Sequence, residues 1–171
     1  MRYNDIQRCE YVNGYNIGVS LYVQGCSIHC KGCFNPETWD FEGGQEFDIA
    51  AKETLFSLLE KSYVHRFSVL GGEPLERCNW EELNNLLIDV KKKFPKLQIW
   101  LYTGYEYSFL MQLIDEWRIK WPKFNDAYLL ESILEKVDIL VAGPFIREEK
   151  DRSLAFKGSR NQEIIELNNG E

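Results

Sequence analysis

Apolar residues follow two rhythms along this chain, short continuous runs and longer stretches with helical spacing. The runs at residues 18–24, 65–70, 97–102 and 137–141 have the length and composition of buried strands. Between them the spacing changes to that of helices. Residues 49–60 carry Ala51, Leu55, Leu58 and Leu59 on one face, with Asp48 placed as N-cap. Asn79 with Glu82 resembles a capping box that opens a helix to residue 93, and Lys91, Lys92 and Lys93 suit its C-terminal end. Further helices are expected over about 107–117 and 127–136, with a polar and aromatic connection through Pro122 between them, and a last short strand over 162–167.

Strands separated by roughly 30 to 50 residues and alternating with helices fit right-handed crossovers and a mostly parallel sheet. The fold class is therefore α/β. In such sheets ligand sites gather at the C-terminal ends of the strands. Four unusual segments share that position: a cysteine-rich loop after residue 24, Gly71-Gly72-Glu73-Pro74, Thr103-Gly104-Tyr105 and Gly143-Pro144. Segments far apart in the chain would converge on one rim. At 171 residues the chain is short of the roughly 250 of a complete eight-unit barrel. One domain over 1–171, shaped as an open partial (β/α) barrel, is the expectation.

Composition narrows the partners. Lys and Arg number 20 against 27 Asp and Glu, a net charge of −7, with no dense basic cluster, which argues against nucleic acid. No apolar stretch approaches the roughly 20 residues of a membrane span, and the N-terminus lacks the apolar run of a secretory signal. The cysteines are five, an odd number, and three are bunched in one loop. That pattern speaks against a disulfide framework and for a reducing cytoplasm.

Those three, Cys26, Cys30 and Cys33, have the spacing C-x3-C-x2-C. Three thiolates are one short of the usual four around zinc or an iron–sulfur cube. Three chemistries compete on this pattern. Zinc would need a fourth ligand from Cys9, Cys78 or His29. A redox pair, Cys30-Lys31-Gly32-Cys33, leaves Cys26 unexplained. A [4Fe–4S] cluster with three protein ligands keeps one iron open to a small molecule, which points to catalysis.

The cysteine spacing after the first strand, with Gly71-Gly72-Glu73-Pro74 after the second, resembles the radical S-adenosylmethionine (SAM) enzymes. Val12-Asn13-Gly14, Val23-Gln24-Gly25-Cys26, Cys33-Phe34-Asn35-Pro36-Glu37-Thr38-Trp39, Tyr102-Thr103-Gly104-Tyr105 and Lys157-Gly158-Ser159-Arg160-Asn161-Gln162 look like the activating proteins of anaerobic (class III) ribonucleotide reductases. The likeness spans most of the chain. It implies that Cys26, Cys30 and Cys33 are the catalytic centre, ligating a [4Fe–4S] cluster whose fourth iron takes the methionyl part of SAM. It implies cofactor-binding roles for Gly71, Gly72, Glu73 and Pro74, with Phe34, Asn35, Thr103 and Gly104 beside them. The implied partners are the large glycyl radical subunit of the reductase and an electron donor such as a flavodoxin or ferredoxin.

Gly32 stands where many radical SAM enzymes carry an aromatic residue, a departure the reductase activases share. Phe34 has two readings, packing near adenine or simple core packing. His29 reads as an exposed loop residue, Cys9 and Cys78 as unligated thiols, and the Trp117, Trp121 and Phe124 stretch as core or connection. Activases of other glycyl radical enzymes, such as pyruvate formate-lyase, and deazaguanine-type synthases share the chemistry; a zinc-stabilised interaction module does not.

Overall fold

The computed structural model describes residues 1–121 and 125–168. In chain order the strands are β1 (Arg2–Glu10), β2 (Gly18–Val23), β3 (Gln45–Glu46), β4 (Arg66–Gly71), β5 (Gln98–Thr103), β6 (Ile139–Ala142) and β7 (Glu163–Glu166). The helices are α1 (Ile49–Leu59), α2 (Trp80–Lys93), α3 (Tyr107–Lys120) and α4 (Asp126–Leu134). Pro122 and Phe124, part of the expected connection between the last two helices, lie outside the described residues.

The strands form one seven-stranded sheet in the order β3-β1-β2-β4-β5-β6-β7. Its centre, β2-β4-β5-β6, is parallel, as the strand–helix alternation predicts. Antiparallel strands flank it, β1 and β3 on one side and β7 on the other. No helix is long and apolar enough to cross a membrane among the described residues.

The two faces of the sheet differ. One presents Val19, Leu21, Val23, Phe67, Val69, Ile99, Leu101 and Leu140, buried against Leu55, Leu83, Leu87, Leu110 and Leu130 of the helices. Burying each such leucine contributes about 1.5–3 kcal/mol. The alternate positions Ser20, Tyr22, Arg66, Ser68, Trp100 and Tyr102 share the other face, aligned by the parallel register. This polar face carries a buried ion pair. Arg66 Nη2 donates to Glu10 Oε2 at 2.9 Å and to the Glu10 carbonyl at 2.7 Å. Glu10 Oε2 also accepts from Ser20 Oγ at 3.0 Å, and Asn13 Nδ2 donates to Ser20 Oγ and to the Tyr22 hydroxyl. Gly14 and Gly18 make room for the guanidinium, since a Cβ on either would lie within 2.6 Å of Arg66. The 12–17 segment is thereby tied across the polar face.

One of the two predicted helix caps forms and the other does not. Asp48 does cap α1, accepting from Ala51 N at 2.8 Å. The capping box at Asn79 and Glu82 does not form. Asn79 turns its amide to the Glu73 carbonyl at 3.2 Å, and Glu82 pairs with the amino group of Met1. Both side chains are taken by groups brought near only by the tertiary fold.

Candidate active site

The segments after β2, β4 and β5 meet at one end of the sheet. The cysteine loop docks there through its backbone: Gly25 N donates to Thr38 O at 2.8 Å, and Cys26 N to Trp39 O at 3.1 Å. Glu73 N then donates to Gly25 O at 2.8 Å, joining the loop to the turn after β4. Ser27 reinforces the joint, donating from N and Oγ to Glu76 Oε1 at 2.6 Å. Gly71 has φ +108°, a conformation that favours glycine.

These elements surround a cavity of about 460 Å³, within the usual size range of small-molecule sites. Cys26, Cys30, Cys33, Phe34, Asn35, Gly71, Gly72, Glu73, Thr103 and Gly104 all line it. Tyr22, Leu70 and Tyr102 supply its floor from the polar face of the sheet, and Phe145, Phe156 and Gly158 close the far wall. Pro74 is buried behind the turn and is not among the lining residues.

Cys26 is buried and Cys30 and Cys33 are half-buried. Burial pushes the thiols of Cys26 and Cys30 up from their ordinary value. Cys9 and Cys78 are exposed and away from the cavity; Cys9 contacts the Tyr63 hydroxyl at 3.6 Å. His29 is exposed and stacks on Trp39, ring centres 4.6 Å apart. Among the described residues no three His, Cys, Asp or Glu side chains are drawn together as ligands of a single ion.

Glu73 is almost wholly buried, yet its carboxylate is fully hydrogen-bonded by the protein. Oε1 accepts from Thr103 Oγ1 and Leu75 N, each at 2.8 Å, and Oε2 accepts from Gly104 N at 2.7 Å. Burial raises its pKa to about 7 against the lowering effect of these donors.

Comparison with known proteins bears on this arrangement. The model of the 4Fe-4S single cluster domain matches residues 12–165. An anaerobic ribonucleoside-triphosphate reductase-activating protein of Enterobacteria phage T4 is 35% identical over 164 residues, 96% of this chain and 93% of the relative. Proteins of the same name from Haemophilus influenzae and Escherichia coli K12 are 32% and 30% identical, covering 96% and 98% of this chain and 97% and 99% of the relatives. The chain belongs to the anaerobic ribonucleoside-triphosphate reductase-activating protein family.

The residues of this family member fit the cofactor its domain type names. Three thiols of one loop face one cavity, the donor chemistry an iron–sulfur cluster requires. Among the described residues no fourth cysteine and no histidine lines the cavity. Gly71, Gly72, Gly104, Gly143 and Gly158 also line the cavity as bare backbone, and at Gly71, Gly72, Gly104 and Gly158 the place of a Cβ is taken by neighbouring protein atoms.

The geometry bears on several of these residues. Gly72 is required by a protein contact, since a Cβ there would lie 2.4 Å from Gly25 O. Thr103 and the Gly104 amide are committed to Glu73, so neither is a free donor in the cavity. Phe34 is 58% exposed and is not a core residue; it packs on Phe145 at 5.0 Å, beneath the Lys150 ammonium. Asn35 lines the cavity, and its backbone fixes the loop: its N donates to Cys33 Sγ at 3.4 Å, and its carbonyl accepts from Thr38 Oγ1. Sequence reasoning missed the Glu10–Arg66 pair and Glu76, whose partners lie 56 and 49 residues away.

Proposed function

We propose that this protein is a radical SAM activase that generates a glycyl radical on the large subunit of an anaerobic ribonucleotide reductase. The observation that carries the reading is the meeting of Cys26, Cys30 and Cys33 with the bare backbone of Gly71 and Gly104 around one cavity. In this reading each cysteine holds one iron of a [4Fe–4S] cluster and leaves one iron for the methionyl group of SAM. When bound, cluster and SAM together supply one-electron cleavage of the sulfonium and a 5′-deoxyadenosyl radical able to remove a hydrogen atom from glycine.

The protein's own part is placement and exclusion of water. Gly71 and Gly72 bring backbone close to a ligand ammonium. Glu73 acts through Thr103 and Gly104, fixing the distance between the ends of β4 and β5 on which the ligand rests. Phe34 and Phe145 form an apolar wall for the adenine. The sheet serves as a partial barrel of the radical SAM type, within a single domain. Its open side admits a macromolecular substrate that acts as its own lid. The setting is the cytoplasm, with a flavodoxin or ferredoxin as electron source.

The test is anaerobic: reduced, iron-reconstituted protein is mixed with SAM and the cognate large subunit, and the glycyl doublet is sought by electron paramagnetic resonance. SAM cleavage with no doublet would remove the partner while keeping the reaction class. A colourless protein holding one zinc and no iron would remove both.

A further inference from the structure

Most ion-paired cations of this chain lie away from the cysteine loop. Arg2, Lys52, Arg66, Arg77, Lys91, Lys93, Arg118 and Lys120 each pair with a carboxylate. Among the described residues Arg8, Lys61, Lys92, Lys96 and Lys136 make no ion pair either, but they are scattered along the chain, whereas around the cysteine loop the cations are concentrated. Residues 145–160 carry five lysines and arginines against three acids, and Lys31 adds another cation, on a chain whose net charge is −7. Among the described residues, Lys31, Arg147, Lys150, Arg152 and Arg160 make no ion pair, and all five are exposed.

The chain folds these charges together. The Arg147 side chain lies against Gly32, whose added Cβ would meet it at 3.3 Å. Lys150 Nζ sits 4.6 Å from the centre of the Phe34 ring. Lys150 also bridges to Ser159 through the backbone, which holds the 147–152 turn against the 158–160 turn. Lys31 and Gly32 stand between Cys30 and Cys33 and are exposed, and those two cysteines are half-buried.

We infer that this basic rim, formed by Lys31, Arg147, Lys150, Arg152 and Arg160, is the docking surface for an acidic one-electron donor protein. The inference rests on the function proposed above. Electron transfer falls off steeply with distance, and Lys31 and Gly32 are exposed between two of the three cysteines. Unpaired cations there would steer an acidic donor toward those cysteines, despite the repulsion expected from the overall charge of the chain. The step forms no bond. One electron leaves the donor, taking a flavin hydroquinone to the semiquinone, and the oxidised cluster is reduced from 2+ to 1+.

The experiment uses reconstituted full-length protein and an acidic flavodoxin hydroquinone as probe. Cluster bleaching is followed by anaerobic stopped flow. For the unaltered protein the second-order rate should fall about tenfold or more between low and physiological ionic strength, within the range electrostatic steering commands. The combined Lys31→Glu, Arg147→Glu and Arg152→Glu variant should be about tenfold slower at low salt, with that salt dependence lost. Its reduction by dithionite, measured at high ionic strength where the charge of that small anion is screened, should stay at the unaltered rate.

A variant reduced by flavodoxin at the unaltered rate and salt slope overturns the surface, and the proposed function stands. A variant that keeps its flavodoxin rate but loses affinity for the reductase large subunit also overturns it, and assigns the rim to that subunit. Slowed reduction by dithionite as well would show a damaged cluster site; Arg152→Glu with Arg160→Glu, which leaves the cysteine loop intact, then decides by the same two rates. Absence of any iron chromophore in the unaltered protein counts against the function itself.

Discussion

The hydroxyl of Thr103 donates to Oε1 of Glu73 at 2.8 Å, clasping the end of β5 to the turn after β4. The carboxyl it holds is buried and carries a pKa raised to about 7. An acid whose folded value exceeds its ordinary one near 4.5 favours the protonated form in the native state. Native protein then binds more protons than unfolded chain between those values, so stability falls as pH rises from about 4.5 to 7. The span corresponds to about 3 kcal/mol. Denaturation of cofactor-free protein across that pH range should show the loss, and Glu73→Gln should flatten it. An unchanged slope in the variant would mean another group carries the titration.

Gly72 touches the cysteine loop directly, and that decides how its substitution acts. A Cβ 2.4 Å from Gly25 O cannot be accommodated without moving backbone next to Cys26. Gly72→Ala should therefore lower bound iron as well as SAM affinity. Iron analysis after anaerobic reconstitution checks this. Full iron with weakened SAM binding would place the crowding on the ligand side.

The proposed ligand set separates the five cysteines. Replacing Cys26, Cys30 or Cys33 by Ala should abolish the iron chromophore and SAM cleavage. Cys9→Ala and Cys78→Ala, at exposed positions outside the cavity, should keep both. Iron lost in either of the latter would redraw the ligand set.

The Glu10–Arg66 pair is completely enclosed on the Arg66 side. Removing one partner leaves a buried charge, at a cost of about 3–5 kcal/mol. Arg66→Met should show that loss in chemical denaturation. Combining it with Glu10→Gln should recover part of the loss, because neither charge is then stranded.

How much of this was legible in the sequence depends on whether a residue's partners are local. Strands β2, β4, β5 and β6 announce themselves as apolar runs, and Asp48 caps α1 three residues from the amide it accepts. The rim residues were legible because each directly follows a strand. β1 was not. Its sequence, RYNDIQRCE, has no sustained alternation, and its pairing with β2 is interrupted by irregularities near residue 4 and between Gln7 and Glu10. β3 is two exposed residues whose strand character comes only from pairing with β1. Asn79 and Glu82 matched a local capping pattern, but nonlocal partners compete for both side chains.

Gly158 has no side chain, and the space this leaves is filled by Phe34 and Phe145. The cysteine loop is therefore braced by a stretch of chain more than a hundred positions downstream. The wall beside the three thiols is complete only when the later part of the chain is present. A nick near Gly158 should loosen that wall while leaving all three thiols in place.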